Sequence, residues 1–162
     1  MNTQSLIRQV RLYLLFFIIG LVSAGLTASL IEWEFKIARH LAPLLSTFPV
    51  VAIWIEFAGQ GWLEVFRQYP FVAHSMDWLA FAHIVIAIAF IGPLKDPVRN
   101  KWVIEFGMIA CILVLPVAII SGTIHGMPLF RQLMNCLIGV LGFLPLWLCR
   151  RNVLQLELLE KK

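Results

Sequence analysis

Four long stretches of this chain, residues 12–31, 78–94, 106–130 and 132–149, contain no charged side chain and are almost wholly apolar. They run to 20, 17, 25 and 18 residues, bracketing the roughly 20 helical residues that cross a hydrocarbon core about 30 Å thick. A peptide group in that core has no water to pair with, so a lone crossing segment must close its hydrogen bonds within itself as a helix. The expected fold is therefore an all-α integral membrane protein. Its four transmembrane helices are expected over residues 12–31, 78–94, 103–125 and 130–149, in one domain through residues 1–162, with an outer segment, 32–77, between the first two.

Of the 162 residues, 60% are hydrophobic, where soluble domains hold about 45–50%, and mean hydropathy is +0.87. The net charge of +4 does not signal a nucleic-acid partner, because the basic residues form no stripe interleaved with aromatics and instead follow the ends of the apolar runs. With the N-terminus inside, Arg8, Arg11, Lys95, Arg99, Lys101, Arg150, Arg151, Lys161 and Lys162 fall on the inner side. Only Lys36, Arg39, Arg67 and Arg131 fall outside. That bias predicts an N-in, C-in orientation, with a bacterial cytoplasmic membrane as the default host. Cys111, Cys136 and Cys149 all lie in expected helices, none in a Cys-x-x-Cys pair, which disfavours a thiol relay and suits small apolar packing.

Residues 1–24 have the outline of a signal peptide, with Arg8 and Arg11 before an apolar stretch and the small-residue sequence Val22-Ser23-Ala24. Against cleavage, the uncharged run continues to Ile31, whereas a signal core spans only about 7–15 residues; the segment is expected to stay as an anchor. Small residues four apart at Gly20, Ala24 and Ala28, with Gly25 and Ser29 on the adjoining row, would let another helix approach closely.

The outer segment mixes aromatics with charges from Glu32 to Leu41, as interfacial helices do. Residues 41–55 are uncharged but interrupted by Pro43 and Pro49, short for a full span, and are read as re-entrant or surface-lying. A fifth crossing there would reverse every later segment, which the charge bias opposes. Gly59-Gln60-Gly61 is read as a turn, and Ser75 or Asp77 as the cap of a second helix opening near Trp78. Gly92 and Pro93 end that helix before a short basic turn, so the next runs antiparallel to it. Pro116 and Pro145 interrupt the hydrogen bonds to the carbonyls of Ile112 and Leu141 and are expected to kink their helices. Glu105 is expected to reach the inner interface or to pair with Lys101 four residues back. The four helices share no pattern of Gly, Pro and polar residues, which argues against an inverted-repeat carrier within one chain.

The four histidines form the only candidate constellation: His40, His74, His83 and His125, all on the outer side of the expected topology. His83 is the one ionisable group well inside an apolar run, and such residues usually face protein and mark a function or an interhelical contact. Two chemistries follow if they act. A haem b takes axial imidazoles from facing helices, here His83 and His125. A transition metal would draw on three of His40, His74, His83 and His125, with a carboxylate from Asp77, Glu32 or Glu34. His74 and His83, nine apart, lie about 180° around a helix, which weakens a shared site. The run His74-Ser75-Met76-Asp77 holds the letters of a hydrolytic triad, but consecutive side chains radiate apart.

These features support, in order, a non-catalytic accessory protein that binds lipid or a partner helix, a haem- or metal-dependent redox protein, and a subunit of a small oligomeric transporter. The bilayer is the expected partner, with a further membrane protein or a homo-oligomer beside it. The intact mass of the mature protein is expected to include residues 1–24; a mass lacking them would leave three spanning helices.

Overall fold

The computed structural model describes residues 3–41 and 48–160. Among these residues it is helical with no strand: α1 Thr3–Ser29, α2 Ile31–Leu41, α3 Pro49–Gln68, α4 Pro70–Ala89, α5 Ile91–Lys95, α6 Lys101–Ile124 and α7 Leu129–Glu160. Among the described residues, four helical stretches are long and apolar enough to cross a membrane: Thr3–Ser29, Pro70–Lys95, Lys101–Ile124 and Leu129–Leu159. The chain is therefore an integral membrane protein of the multi-pass helical type. It resolves into two compact units, one of Met1–Gly20 with Ile86–Lys162 and one of Leu21–Val85.

In the first unit, Leu6, Val10 and Leu14 recur every four residues on one face of α1 and are at most 1% exposed. They join Phe90, Ile104, Leu146, Cys149 and Val153 in a buried apolar core. Phe17 tilts onto Phe90 with ring centroids 4.7 Å apart. Gly107 makes room for this cluster, since a Cβ there would lie 2.6 Å from Phe90 Cζ and 2.8 Å from Leu146 Cδ1. Farther along, α6 and α7 approach through Gly139 and Gly142, whose added Cβ atoms would stand 2.8 Å from the Cys111 carbonyl oxygen and 2.9 Å from Cys111 Sγ. Close backbone approach of this kind replaces hydrophobic attraction as the basis of helix association in lipid.

Both connections in this unit are closed by specific hydrogen bonds. Asp96 Oδ1 accepts from the Arg99 N–H at 3.0 Å, and Asn100 Nδ2 donates to the carbonyls of Asp96 at 2.9 Å and Gly92 at 3.3 Å. The Asp96 and Asn100 side chains thus tie the basic turn between α5 and α6. Between α6 and α7, the Met127 N–H reaches the Gly122 carbonyl and the Gly126 N–H that of Thr123, the double closure of a Schellman motif. Gly126 sits at φ +63°, a left-handed conformation that a Cβ disfavours. Gln132 Nε2 donates to the Met127 carbonyl at 2.9 Å, binding the start of α7 to the same turn.

Two expectations about these helices change. With 32 residues, α7 is about 48 Å long and runs on to Glu160 rather than ending near residue 149. Its last turns therefore lie beside the first turns of α6, and Glu105 pairs across the helices with Arg150 at 2.9 Å, while Lys101 pairs with Glu157 at 2.9 Å. Of the two alternatives expected for Glu105, the pair with Lys101 along one helix yields to these longer-range partners. The helices continue through Pro116 and Pro145.

In the second unit, α4 opens at Pro70, where proline suits a first helical position, so Ser75 and Asp77 lie inside the helix and do not cap it. The stretch from Gly59 to Gly61 is helical within α3, not a turn. Gly59 receives the Phe35 ring of α2, its added Cβ lying 3.2 to 3.4 Å from that side chain, and Gln60 Nε2 donates to Glu56 Oε1 one turn back at 2.7 Å. A packed aromatic and a helical side-chain pair here outweigh the turn preference of two nearby glycines. Pro49 opens α3 at its first turn, while Pro43 lies outside the described residues.

Gly139→Ala is expected to cost about 1–3 kcal/mol, since its methyl meets backbone rather than a movable side chain. Gly20→Ala, with nothing within 4 Å, is expected to stabilise by about 0.5–1 kcal/mol through helix propensity. Thermal or denaturant unfolding of the two variants in the same detergent checks the contrast.

Candidate functional site

Within the second unit, α4 carries His74, Ser75, Asp77 and His83. Asp77, seven residues into that helix and so about 10 Å from its start, accepts a 2.7 Å hydrogen bond at Oδ1 from the hydroxyl of Ser29 on α1. A carboxylate on a spanning helix requires such a donor, because lipid supplies none. One turn back along α1, Gly25 lets α4 come close: an added Cβ would lie 3.0 Å from the Ala80 carbonyl oxygen and 3.1 Å from His83 Cβ. The Gly25 and Ser29 row of α1 therefore meets α4 within this unit. Gly20, on the other row, has nothing within 4 Å.

His83 is partly buried, and its Nδ1 lies 2.8 Å from the Leu79 carbonyl one turn back. A carbonyl can only accept, so Nδ1 donates, and in the neutral form Nε2 carries the lone pair. His40 repeats the arrangement on α2, with Nδ1 at 2.8 Å from the Lys36 carbonyl. His74 differs: the Trp78 indole N–H donates to its Nε2 at 3.0 Å, placing its proton on Nδ1 in the neutral form. Trp78 also stands edge-on to Phe81, with centroids 5.7 Å apart. The Ser75 hydroxyl donates to the Phe71 carbonyl at 3.0 Å, so the triad-like letters around His74 are distributed over separate helical bonds.

His125 belongs to the first unit, where it is exposed and occupies the C-cap position of α6, its N–H donating to the Ser121 carbonyl at 3.0 Å. Within neither unit do three His, Cys, Asp or Glu side chains among the described residues come together to hold a metal ion. The imidazoles of His74 and His83 leave α4 on opposite sides, and His40 rides on a different helix. The carboxylates named with them behave similarly: Glu32 and Glu34 lie in the first turn of α2, where negative charge complements the helix dipole.

A second polar layer occupies the basic end of the first unit. Beside the two ion pairs, Asn152 Nδ2 donates to Gln9 Oε1 at 3.0 Å, joining α7 to α1, and Cys149 Sγ approaches the Val10 carbonyl at 4.0 Å. Sequence reading missed this layer because the partners of Gln9 and Glu105 are 143 and 45 residues away. It also missed the Ser29–Asp77 bond, although the small-residue row containing Ser29 was its visible signal. Comparison of the chain with known protein families, characterised proteins and solved structures gives no match.

If the Ser29–Asp77 bond couples α1 to α4, a double-mutant cycle of Ser29→Ala and Asp77→Ala is expected to return about 0.6–2 kcal/mol of interaction energy, the range of polar contacts between membrane helices. Unfolding of the four proteins in mixed micelles measures it, and additive losses would remove the coupling.

Proposed function

We propose that this chain is a non-catalytic membrane protein, oriented N-in and C-in in a bacterial cytoplasmic membrane, that acts by binding lipid or a partner membrane protein along its helix faces. The observation that carries this reading is the small share of its spanning helices buried by the chain itself, from 11% of the apolar window of α1 to 28% of that of α6. Large apolar side chains such as Phe16, Ile19, Val117 and Ile138 remain more than half exposed, and only lipid or another protein can cover them. The local engagement of His40, His74 and His83 with their own helices, and of Asp77 with Ser29, supports a structural use of these groups.

A second reading, a redox protein, is favoured by one specific feature. Histidines that bind haem b or a transition metal through Nε2 commonly donate Nδ1–H to a backbone carbonyl, as His83 and His40 do. In that reading His83 is the candidate haem or metal ligand of α4 and His40 that of α2, each through its Nε2.

The ultraviolet and visible spectrum of the intact protein, purified from cells supplied with haem and metals, separates the two when combined with elemental analysis. The binding-protein reading expects no haem band and far less than one iron, copper or zinc per chain, with His83→Ala altering stability alone. A haem band, or about one metal per chain lost in His83→Ala, establishes the second.

A further inference from the structure

The start of α1 presents two unlike faces. Leu6, Val10 and Leu14 are buried in the core of the first unit, while Gln4, Ile7, Arg8, Arg11 and Leu12 line an open groove of about 440 Å³. Arg8 and Arg11 are exposed, and neither joins an ion pair among the described residues, in contrast to Lys101 and Arg150 of the same unit. Arg151, next to the Asn152 that bonds to Gln9, is also exposed and joins no ion pair among the described residues, a further cation on the helix that meets α1 here.

Beyond Arg8 the same face of α1 continues with Leu12, Leu15, Phe16 and Ile19, spaced by four, seven, eight and eleven residues, and these are 56%, 42%, 62% and 63% exposed. From Arg8 to Ile19 the helix rises about 16 Å, close to half of a hydrocarbon core roughly 30 Å thick. A cationic head position and an apolar stripe one leaflet long therefore share one helix face. That combination complements a phospholipid with net negative charge.

We infer that this face of α1 binds one anionic phospholipid, its phosphate between the guanidinium groups of Arg8 and Arg11 with the Gln4 amide beside it, and an acyl chain along Leu12, Leu15, Phe16 and Ile19. Guanidinium forks match phosphate oxygens two at a time. A zwitterionic lipid meets the apolar stripe equally well, yet its own cationic group opposes the two arginines, so selectivity resides in headgroup charge. The site deepens the lipid-binding reading of the protein and rests on it.

The test uses the full chain in nanodiscs of mixed phosphatidylglycerol and phosphatidylcholine, followed by native mass spectrometry of retained lipid. Wild type is expected to keep phosphatidylglycerol in preference to phosphatidylcholine. R8Q/R11Q is expected to weaken phosphatidylglycerol binding about 25-fold, each arginine near an anionic headgroup contributing roughly fivefold, and R8K/R11K is expected to lose less. Circular dichroism of each variant reports its fold, and a photoreactive phosphatidylglycerol, which needs no variant, is expected to label the α1 peptide spanning Gln4 and Leu12. Equal retention of the two lipids by wild type, or a label confined to another helix, overturns the inference. If R8Q/R11Q keeps the full preference, the site is wrong while lipid binding stands. A protein that retains no lipid of either kind and associates with no other chain removes the binding reading itself.

Discussion

Hydrocarbon offers no partner to a peptide N–H or C=O, and every feature of this chain is arranged around that constraint. It forces each crossing segment to be a helix, and it withdraws the hydrophobic difference that would drive two such helices together, since lipid tails are as apolar as leucine. What remains to hold the helices is close packing and a few hydrogen bonds. The glycines at positions 107, 139 and 142 supply the first in one unit, and Gly25 supplies it in the other.

The polar contacts divide by environment. At the basic end of the first unit, Lys101–Glu157, Arg150–Glu105 and Gln9–Asn152 join three helices. Partly exposed ion pairs contribute little individually, so they serve more to set the register of α6 against α7 than to stabilise it. Leu6, Val10 and Leu14 pack into the core beside them and are almost fully buried. Removal of the first 24 residues would empty that core of all three side chains, which makes the start of α1 a structural part of the described fold.

Along α4 of the second unit the polar groups are few, and each closes a short hydrogen bond. Ser29 satisfies Asp77 across two helices, whereas His74 and His83 turn to their own helix. In the neutral form the same bond that anchors His83 leaves its Nε2 to carry the lone pair, so one geometry suits both a packing histidine and a ligand. The difference between these roles lies in what approaches Nε2 from outside the chain.

The sequence by itself determined the class of the protein: four uncharged runs of spanning length admit only an all-helical membrane fold, because each run's backbone must be satisfied internally. Local signals were less decisive where a distant contact competed with them. The Gly59 and Gly61 pair reads as a turn until Phe35 packs on Gly59, and Asp77 reads as a helix cap until α4 is seen to begin at Pro70. Glu105 has a suitable partner four residues away in Lys101, but the extension of α7 to Glu160 gives both residues better ones. Which of two small-residue rows on α1 meets another helix was likewise undetermined by spacing. Only the tertiary structure selected Gly25 and Ser29, because close approach depends on the shape of the facing helix, and that information is held by residues some fifty positions away along the chain.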